Sequence, residues 1–225
     1  MLSQLRPAIA MIVLFTALTG IAYPLAITGI AQVAMKGPAD GSMITRNGTV
    51  VGSALIGENF ATDRFFQGRP SATSAPDPKD ATKTVDAPYN AANSSGSNLG
   101  PTSQKLVDRV KASVAALGGS PAKSVAADAV TTSASGLDPD ISPAYAAMQI
   151  GRVASARKLD AAKIQALVAN NTVGSALFGN SRVQVLQLNV ALEDLDPTPA
   201  AAAPAASSTT KPADNANAAA APAAQ

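Results

Sequence analysis

The strongest feature of the hydrophobicity pattern is a run without charge near the amino end. No charged residue lies between Arg6 and Lys36, and most of the intervening positions are apolar. A helix that crosses the core of a bilayer needs about 20 such residues, and this run is longer. Residues 7–35 therefore predict one membrane-spanning helix. Pro24 lacks a backbone N–H, so we expect a kink or a break there.

A cleaved signal peptide is the alternative interpretation of the same run. Its positive region would be Arg6 and its apolar region about residues 9–18. The apolar region of a signal peptide is about 7–15 residues long and is followed by a cleavage site of small residues. Here the apolar character continues well past that length, and Gly29-Ile30-Ala31 is a poor cleavage site. We therefore favour a retained membrane anchor over residues 1–36.

After this run the pattern becomes that of a soluble α+β domain over residues 37–196. Asn47-Gly48 is the strongest short signal for a β-hairpin. Residues 70–101 are polar and rich in Ser, Pro, Asn and Gly, which predicts a long functional or mobile loop. Residues 125–132 predict a strand.

Apolar stripes and end signals predict three helices in the domain. Thr102 is a suitable N-cap for the first helix, and Gly118-Gly119 would end it. Ser142 followed by Pro143 begins the second, and Asp160 caps the third. The side chains expected to face the core are Leu106, Val110, Val114, Leu117, Met148, Ile150, Val153, Ile164, Leu167 and Val168.

The two segments that close the chain have contrasting patterns. Residues 186–192 alternate between apolar and mostly polar side chains, which predicts a strand with Asn189 on its polar face and a bulge near Val185. Residues 197–225 are rich in Ala and Pro and contain no large apolar side chain. Such a segment cannot bury enough surface to offset its ordering entropy, so it predicts a disordered tail.

Composition excludes several classes of function. The chain has no His, Cys or Trp, which excludes histidine general bases, cysteine nucleophiles, disulfides, and zinc or haem sites built on His or Cys. Charged residues make up 14% of the chain and the net charge is +2, which is too little for a nucleic-acid-binding surface.

The remaining motifs for chemistry are weak. Ser120-Pro-Ala-Lys123 has serine–lysine spacing, but residues 208–211 of the tail repeat it by accident. Asp128, Asp138 and Asp140 lie in turn and cap contexts, which does not favour a metal site. Residues 94–100 would either present backbone N–H groups to an anion or form a flexible loop. No lysine is placed there to hold a phosphate, which favours the flexible loop.

Five motifs, in order, resemble one known family. They are TGIAYPL (19–25), GSALIG (52–57), FFQGRPSA (65–72), GSNLGP (96–101) and TSASGLDPDISP (132–143). Gln149, Arg152, Val153 and Arg157 follow the fifth motif, and residues 185–192 are similar to the end of the family pattern. Together they resemble the C subunit of the Kdp potassium-transporting P-type ATPase (KdpC).

The resemblance implies a non-catalytic subunit of a potassium uptake pump in the bacterial inner membrane. Its partners would be a potassium-channel-like subunit, a P-type ATPase subunit and a small single-helix subunit, together with membrane lipid. The resemblance also implies a cytoplasmic amino end, a single pass, and a domain outside the cytoplasm. The family is needed for assembly and is described as raising the ATP affinity of the ATPase subunit.

The implied topology bears on the role of ATP. Every segment able to form a core follows the predicted span, so an external domain cannot touch cytoplasmic ATP, and its effect would be a coupling free energy. The sequence also departs from the family pattern: Phe65-Phe66-Gln67 replaces a pair that commonly includes tryptophan, and the 95–98 loop has one glycine fewer. The lost glycine bears on the nucleotide-binding role proposed for this loop.

Three hypotheses follow, with no covalently bound cofactor expected. The leading one is a structural and regulatory subunit, with contacts to the other subunits through Thr16, Gly20, Tyr23, Pro24, Ala26, Phe65, Phe66, Gly68, Arg69 and Pro70. The second is a nucleotide-binding module acting through Ser95, Gly96, Ser97 and Asn98. The third is an anchored serine–lysine enzyme.

Overall fold

The computed structural model describes residues 2–120, 123–175 and 179–196. These residues form one long apolar helix followed by a mixed domain of helices and strands. The tail predicted to be disordered, residues 197–225, lies outside the described residues.

Helix α1 (Leu5–Ala34) is the one helix among the described residues that is long and apolar enough to cross a membrane. It has 30 residues, and its most apolar window has a mean hydropathy of 2.0 with no residue buried. Of the kink or break predicted at Pro24, the break does not occur, because the helix continues through this residue. Instead, residues Thr16–Ala22 adopt π-helical hydrogen bonding directly before the α-helical segment Tyr23–Ala34. A π-helical turn accommodates the hydrogen bond that a proline cannot make.

The predicted hairpin at Asn47-Gly48 is confirmed. A short helix α2 (Lys36–Ala39) leads to strands β1 (Met43–Arg46) and β2 (Thr49–Ser53), which pair antiparallel. Asn47 and Gly48 have φ angles of 50° and 77°. Two successive positive φ angles define the turn whose twist matches a two-residue hairpin, and Asn-Gly adopts them at little cost.

The prediction of a loop over residues 70–101 is wrong for its central part. Strands β3 (Ser74–Asp77) and β4 (Asp80–Asp86) form a second antiparallel hairpin there. Polar side chains stabilise its turn, because Asp77 accepts a hydrogen bond from the Lys79 N–H at 2.8 Å. Such local bonds make a polar segment compatible with a hairpin.

The three predicted helices are confirmed as α3 (Gln104–Ala116), α5 (Pro143–Arg157) and α6 (Ala161–Asn170). The Ser142 hydroxyl caps α5 by accepting from the Tyr145 N–H at 3.0 Å, and Asp160 caps α6. The first N-cap prediction is off by one residue, because Ser103 rather than Thr102 precedes α3.

Two predicted strands are helices. Residues 125–132 contain the short helix α4 (Ala127–Val130), and α7 (Val185–Leu195) occupies the segment predicted as the closing strand. The buried residues of α7 include Val185, Leu188 and Leu192, which are spaced as one face of a helix. Leu186, Leu188 and Leu192 are buried on the helix and also fit a period of two, so the sequence pattern alone did not distinguish helix from strand.

A three-stranded antiparallel sheet packs against these helices. Its order is β5 (Asp140–Ile141), β7 (Gly179–Gln184) and β6 (Thr172–Ser175). The largest fully buried apolar side chains come from strands, helices and the segment before the second hairpin; they are Phe66, Ile141, Val153, Ile164, Val183, Leu188 and Leu192.

Candidate functional site

An irregular segment, residues 62–71, crosses the centre of the domain and contains the FFQGRPSA motif. The side chain of Asn189 on α7 accepts from the Phe66 N–H at 2.8 Å and donates to its carbonyl at 2.9 Å. Gln149 on α5 does the same for Gln67, at 2.8 and 3.0 Å. Buried backbone N–H and C=O groups require hydrogen-bond partners. Here two amide side chains supply the bonds that a paired strand would supply in a sheet.

The structure corrects the contact prediction for Phe65 and Phe66. Both rings are buried, and Phe66 has no exposed surface. Phe65 packs against Phe60 and lies beneath the Arg157 guanidinium. These side chains stabilise the core, so they offer no surface to another subunit.

Gly68, Arg69 and Pro70 are half-buried at the end of this segment. The Arg69 guanidinium lies 2.9 Å from Asp138, and the Tyr89 hydroxyl donates to the Arg69 carbonyl at 2.8 Å. Burial raises the pKa of Tyr89 well above its ordinary value, and the charge of Asp138 adds to the effect. Tyr89 therefore remains a hydrogen-bond donor at any physiological pH.

Glycines allow four of the family motifs to meet at this place. A Cβ at Gly68 would lie 2.1 Å from the Tyr89 hydroxyl, and one at Gly57 would lie 2.5 Å from the Asp138 carbonyl. A Cβ at Gly96 would lie 2.6 Å from the Ala134 carbonyl. The glycines are thus required because backbones and rings approach more closely than a side chain permits.

A groove of about 390 Å³ opens beside these motifs. Residues 67–71 form one wall, and the end of α3, including Leu117, forms another. Phe60, Tyr89 and Tyr145 contribute aromatic surface. The groove therefore combines exposed backbone with apolar side chains, as protein-contact surfaces commonly do.

The predicted nucleotide loop, Ser95 to Asn98, packs on the fifth motif. The Ser94 hydroxyl donates to the Ser135 carbonyl at 3.0 Å, and the Ser95 hydroxyl donates to the Ala72 carbonyl at 3.3 Å. Ser97 is half-buried and Asn98 is exposed with a φ of 51°. These contacts explain the loop as a packing element, and nucleotide binding stays a prediction.

Two glycines of this loop provide a test of that explanation. Replacing Gly96 with alanine places a methyl group against a backbone carbonyl, so we expect a loss of about 2 kcal/mol in the free energy of unfolding. Gly100→Ala is the matched control, since no atom lies within 4 Å of its added Cβ. We expect it to change stability by less than about 0.5 kcal/mol. Equal denaturation midpoints for the two variants would contradict the packing role.

The predicted helix contacts lie on exposed positions of α1. Thr16, Gly20, Tyr23, Pro24 and Ala26 are all exposed, as is the rest of the helix apart from Ala31. Thr16 and Gly20 belong to the π-helical segment. The surface is therefore available to another helix, and its partner stays a prediction.

An ion-pair cluster that sequence reasoning missed ties the end of the domain together. Arg157 is fully buried, and its guanidinium bonds to Glu193 at 2.6 Å and to Asp196. Arg64 lies 3.0 Å from Asp196, and Arg46 of β1 lies 2.9 Å from Asp194. The cluster joins the first hairpin, the central segment and α7. The sequence shows only that acidic residues follow the apolar run 185–192, and it does not indicate which arginines they pair with.

Glu58 is a half-buried carboxylate beside the first hairpin, and a Cβ at Gly52 would lie 2.2 Å from its Oε1. Burial raises the pKa of Glu58 above its ordinary 4.5. A raised folded-state pKa means that the contribution to stability is present at low pH and is lost as the pH rises through that pKa. We therefore expect Glu58→Gln to raise the melting temperature near neutral pH. The gain should vanish at about pH 3.5, where Glu58 is itself protonated; an equal gain at both pH values would contradict this.

The structure offers little for the other chemistry considered. No group of three or more acidic residues that could hold a metal ion occurs among residues 2–120, 123–175 and 179–196. Asp128, Asp138 and Asp140 are engaged with Ser142, Arg69 and Arg182 respectively. Ser120 and Lys123 exchange two backbone hydrogen bonds, at 3.1 and 2.9 Å. Residues 121–122 of that motif lie outside the described part.

Comparison with known proteins agrees with the presence and order of the five motifs. The family model of the K+-transporting ATPase C chain (KdpC) matches residues 5–194. The potassium-transporting ATPase KdpC subunit of Bradyrhizobium diazoefficiens is 56% identical over 196 residues, covering 86% of this chain and 98% of that protein. The KdpC subunits of Methylorubrum extorquens and Methylobacterium nodulans are 54% and 56% identical over 198 residues, with 87% of this chain and 98% of each relative covered. The resemblance is thereby confirmed: the chain belongs to the KdpC family, the C chains of K+-transporting ATPases.

Proposed function

We propose that this chain is an accessory subunit that helps to assemble and stabilise an ATP-driven potassium pump. The match to KdpC over residues 5–194 carries the proposal. The relatives that match over most of their length are named as KdpC subunits of potassium-transporting ATPases, which supports a role within such a pump.

Helix α1 would be a single membrane anchor in the bacterial inner membrane. Its length and apolar composition support a span, and the five ordered motifs support a retained rather than cleaved segment. We further propose that the amino end is cytoplasmic and that the domain lies outside. Protease added to sealed inside-out or right-side-out vesicles tests this: digestion of the domain only in right-side-out vesicles is expected, and the reverse would contradict the orientation.

Two surfaces would hold the other subunits, namely the channel-like, ATPase and small single-helix subunits. The first is the face of α1 with small residues around Gly20, where a neighbouring helix can approach closely. The second is the groove beside Gly68, Arg69 and Pro70, whose backbone is held in place by Asn189 and Gln149.

Removing the chain tests the assembly role. Without it, we expect the remaining subunits to separate on solubilisation and to lose potassium-stimulated ATP hydrolysis. Gly20→Leu should reproduce part of that loss, because it fills the space that a partner helix would use. Ala8→Leu, a comparable enlargement of α1 outside this group, is the control. A stable and active complex without the chain would overturn the proposal.

An effect on ATP affinity would be indirect under this topology. Contacts of the domain and α1 would change the ATP affinity of the ATPase subunit through packed helices, as a coupling free energy between distant sites. A direct nucleotide site at Ser95 to Asn98 is the competing explanation. Photolabelling of the intact complex with an ATP analogue distinguishes them: we expect label in the ATPase subunit alone. Label in this chain that Ser97→Ala removes would establish the direct site.

A further inference from the structure

The first hairpin and its flanks hold five of the nine exposed large apolar side chains that the described residues have after α1. Five exposed large apolar side chains lie within residues 35–56, and we call them the apolar patch: Met35, Met43, Val50, Leu55 and Ile56. Over the rest of the described domain only Val85, Leu117, Val173 and Leu195 are comparably exposed. Single exposed apolar residues are normal, whereas clusters mark contact surfaces.

Strand register places two members of the patch on one face. Thr45 pairs with Val50 across the hairpin, and Met43 lies two residues before Thr45 on the same strand. Side chains at paired positions and at every second residue share a face. A Cβ at Gly41 would lie 3.3 Å from the end of the Met43 side chain. Met43 therefore lies next to the connection that comes from α1.

Hydrogen bonds hold this hairpin directly on the end of the apolar helix. The side chain of Gln32, in the last turns of α1, donates to Asp40 at 3.0 Å. The Ser53 hydroxyl at the end of β2 donates to the Gly41 carbonyl at 2.7 Å. The headgroup region adds about 5–8 Å on each side of the hydrocarbon core. A hairpin attached in this way lies next to the end of α1, where the helix would leave the bilayer.

Charge is almost absent from the hairpin. Between Asp40 and Glu58 the only charged residue is Arg46. The Arg46 guanidinium is 2.9 Å from Asp194 of α7, so its charge is directed toward the domain rather than outward. The hairpin surface of Met, Val and Leu can thus enter the boundary between headgroups and acyl chains without desolvating an ion. Exposed Lys36 and Asp40 lie beside the end of α1, where charged groups can stay with the lipid headgroups.

We propose that the apolar patch rests in the headgroup–acyl boundary of the lipid bilayer. The domain then has two attachments to the membrane, helix α1 and the hairpin, which together fix its rotation and tilt. This orientation determines how the groove at residues 67–71 faces the partner subunits. The inference depends on the membrane span in the proposed function, and its test separates the two.

The test uses the absence of tryptophan from the natural chain. Single-tryptophan variants of the full-length chain are placed in phosphatidylcholine vesicles with or without brominated acyl chains, which quench nearby indoles. Val50→Trp reports on the patch, Leu14→Trp on the span, and Val85→Trp, in the other hairpin, is the matched control. We expect blue-shifted, strongly quenched emission from V50W and L14W, and unquenched emission from V85W. Leu55→Trp provides the same reading if V50W does not fold.

The outcomes are distinct. Quenching of L14W with none in V50W and L55W overturns the hairpin contact and leaves the span intact, whereas no quenching in L14W overturns the span as well. In the assembled pump, a benzophenone side chain at Leu55 should crosslink to lipid in native membranes. A crosslink to another subunit instead would show that protein covers the patch and would overturn the proposal.

Discussion

Replacing Arg157 with methionine is expected to lower the free energy of unfolding by about 4 kcal/mol. The Arg157 side chain is completely buried, and its Nη2 lies 2.6 Å from Glu193, which is itself only 14% exposed. Its Nε donates to the Arg64 carbonyl at 2.7 Å. Without Arg157, Glu193 loses its closest charge partner and the Arg64 carbonyl loses its buried donor. Chemical denaturation of the full chain measures the loss.

Arg182→Met is the control for this variant. Arg182 also forms an ion pair, with Asp140 at 3.0 Å, but its side chain is 56% exposed. Exposed pairs contribute little, so we expect a change below about 1 kcal/mol. Replacing Arg157 and Glu193 together with apolar residues should recover part of the stability lost by R157M. Equal losses for R157M and R182M would refute the importance of the buried cluster.

Replacing Asn189 with leucine is expected to cost about 3 kcal/mol, although leucine is similar in size and more hydrophobic. The change leaves the N–H and the carbonyl of Phe66 buried without the partners that they have at 2.8 and 2.9 Å. Hydrophobicity predicts the opposite sign, so the direction alone is informative. The same denaturation measurement applies.

Gln187→Leu is the matched control, because Gln187 lies on the same helix but is exposed. We expect a change within about 0.5 kcal/mol. Gln149→Leu should act like Asn189→Leu, since Gln149 holds the adjacent residue Gln67. The double variant should lose less than the sum of the two losses, because both release one segment. Full additivity would show that the two amides act independently.

These two sets of contacts have a common consequence for the proposed function. Asn189 and Arg157 hold the two ends of the buried part of the central segment, and Gly68 and Arg69 follow it at the edge of the groove. We therefore expect variants of this segment that still fold, with Gln149→Leu as the first to examine, to weaken subunit assembly more than their stability loss would suggest. Copurification of the other subunits measures this.

The candidate site was only partly predictable. The motif FFQGRPSA was singled out as a contact surface, but its two aromatic residues are core residues. A pair of adjacent aromatics carries no signal of which side faces outward when no strand or helix period surrounds it. Likewise, Asn189 was predicted on a polar face and is buried, because an alternating pattern was mistaken for a strand.

The elements that the sequence determined by itself depend on neighbours along the chain. The uncharged run defines α1, Asn47-Gly48 defines a hairpin, and Ser142 and Asp160 cap their helices, because each effect acts within a few residues. The partner of Phe66 is 123 positions away, and that of Arg69 is 69 positions away. Only tertiary packing could decide such pairings, since a buried backbone or charge accepts whichever distant polar group the folded core brings within hydrogen-bonding distance.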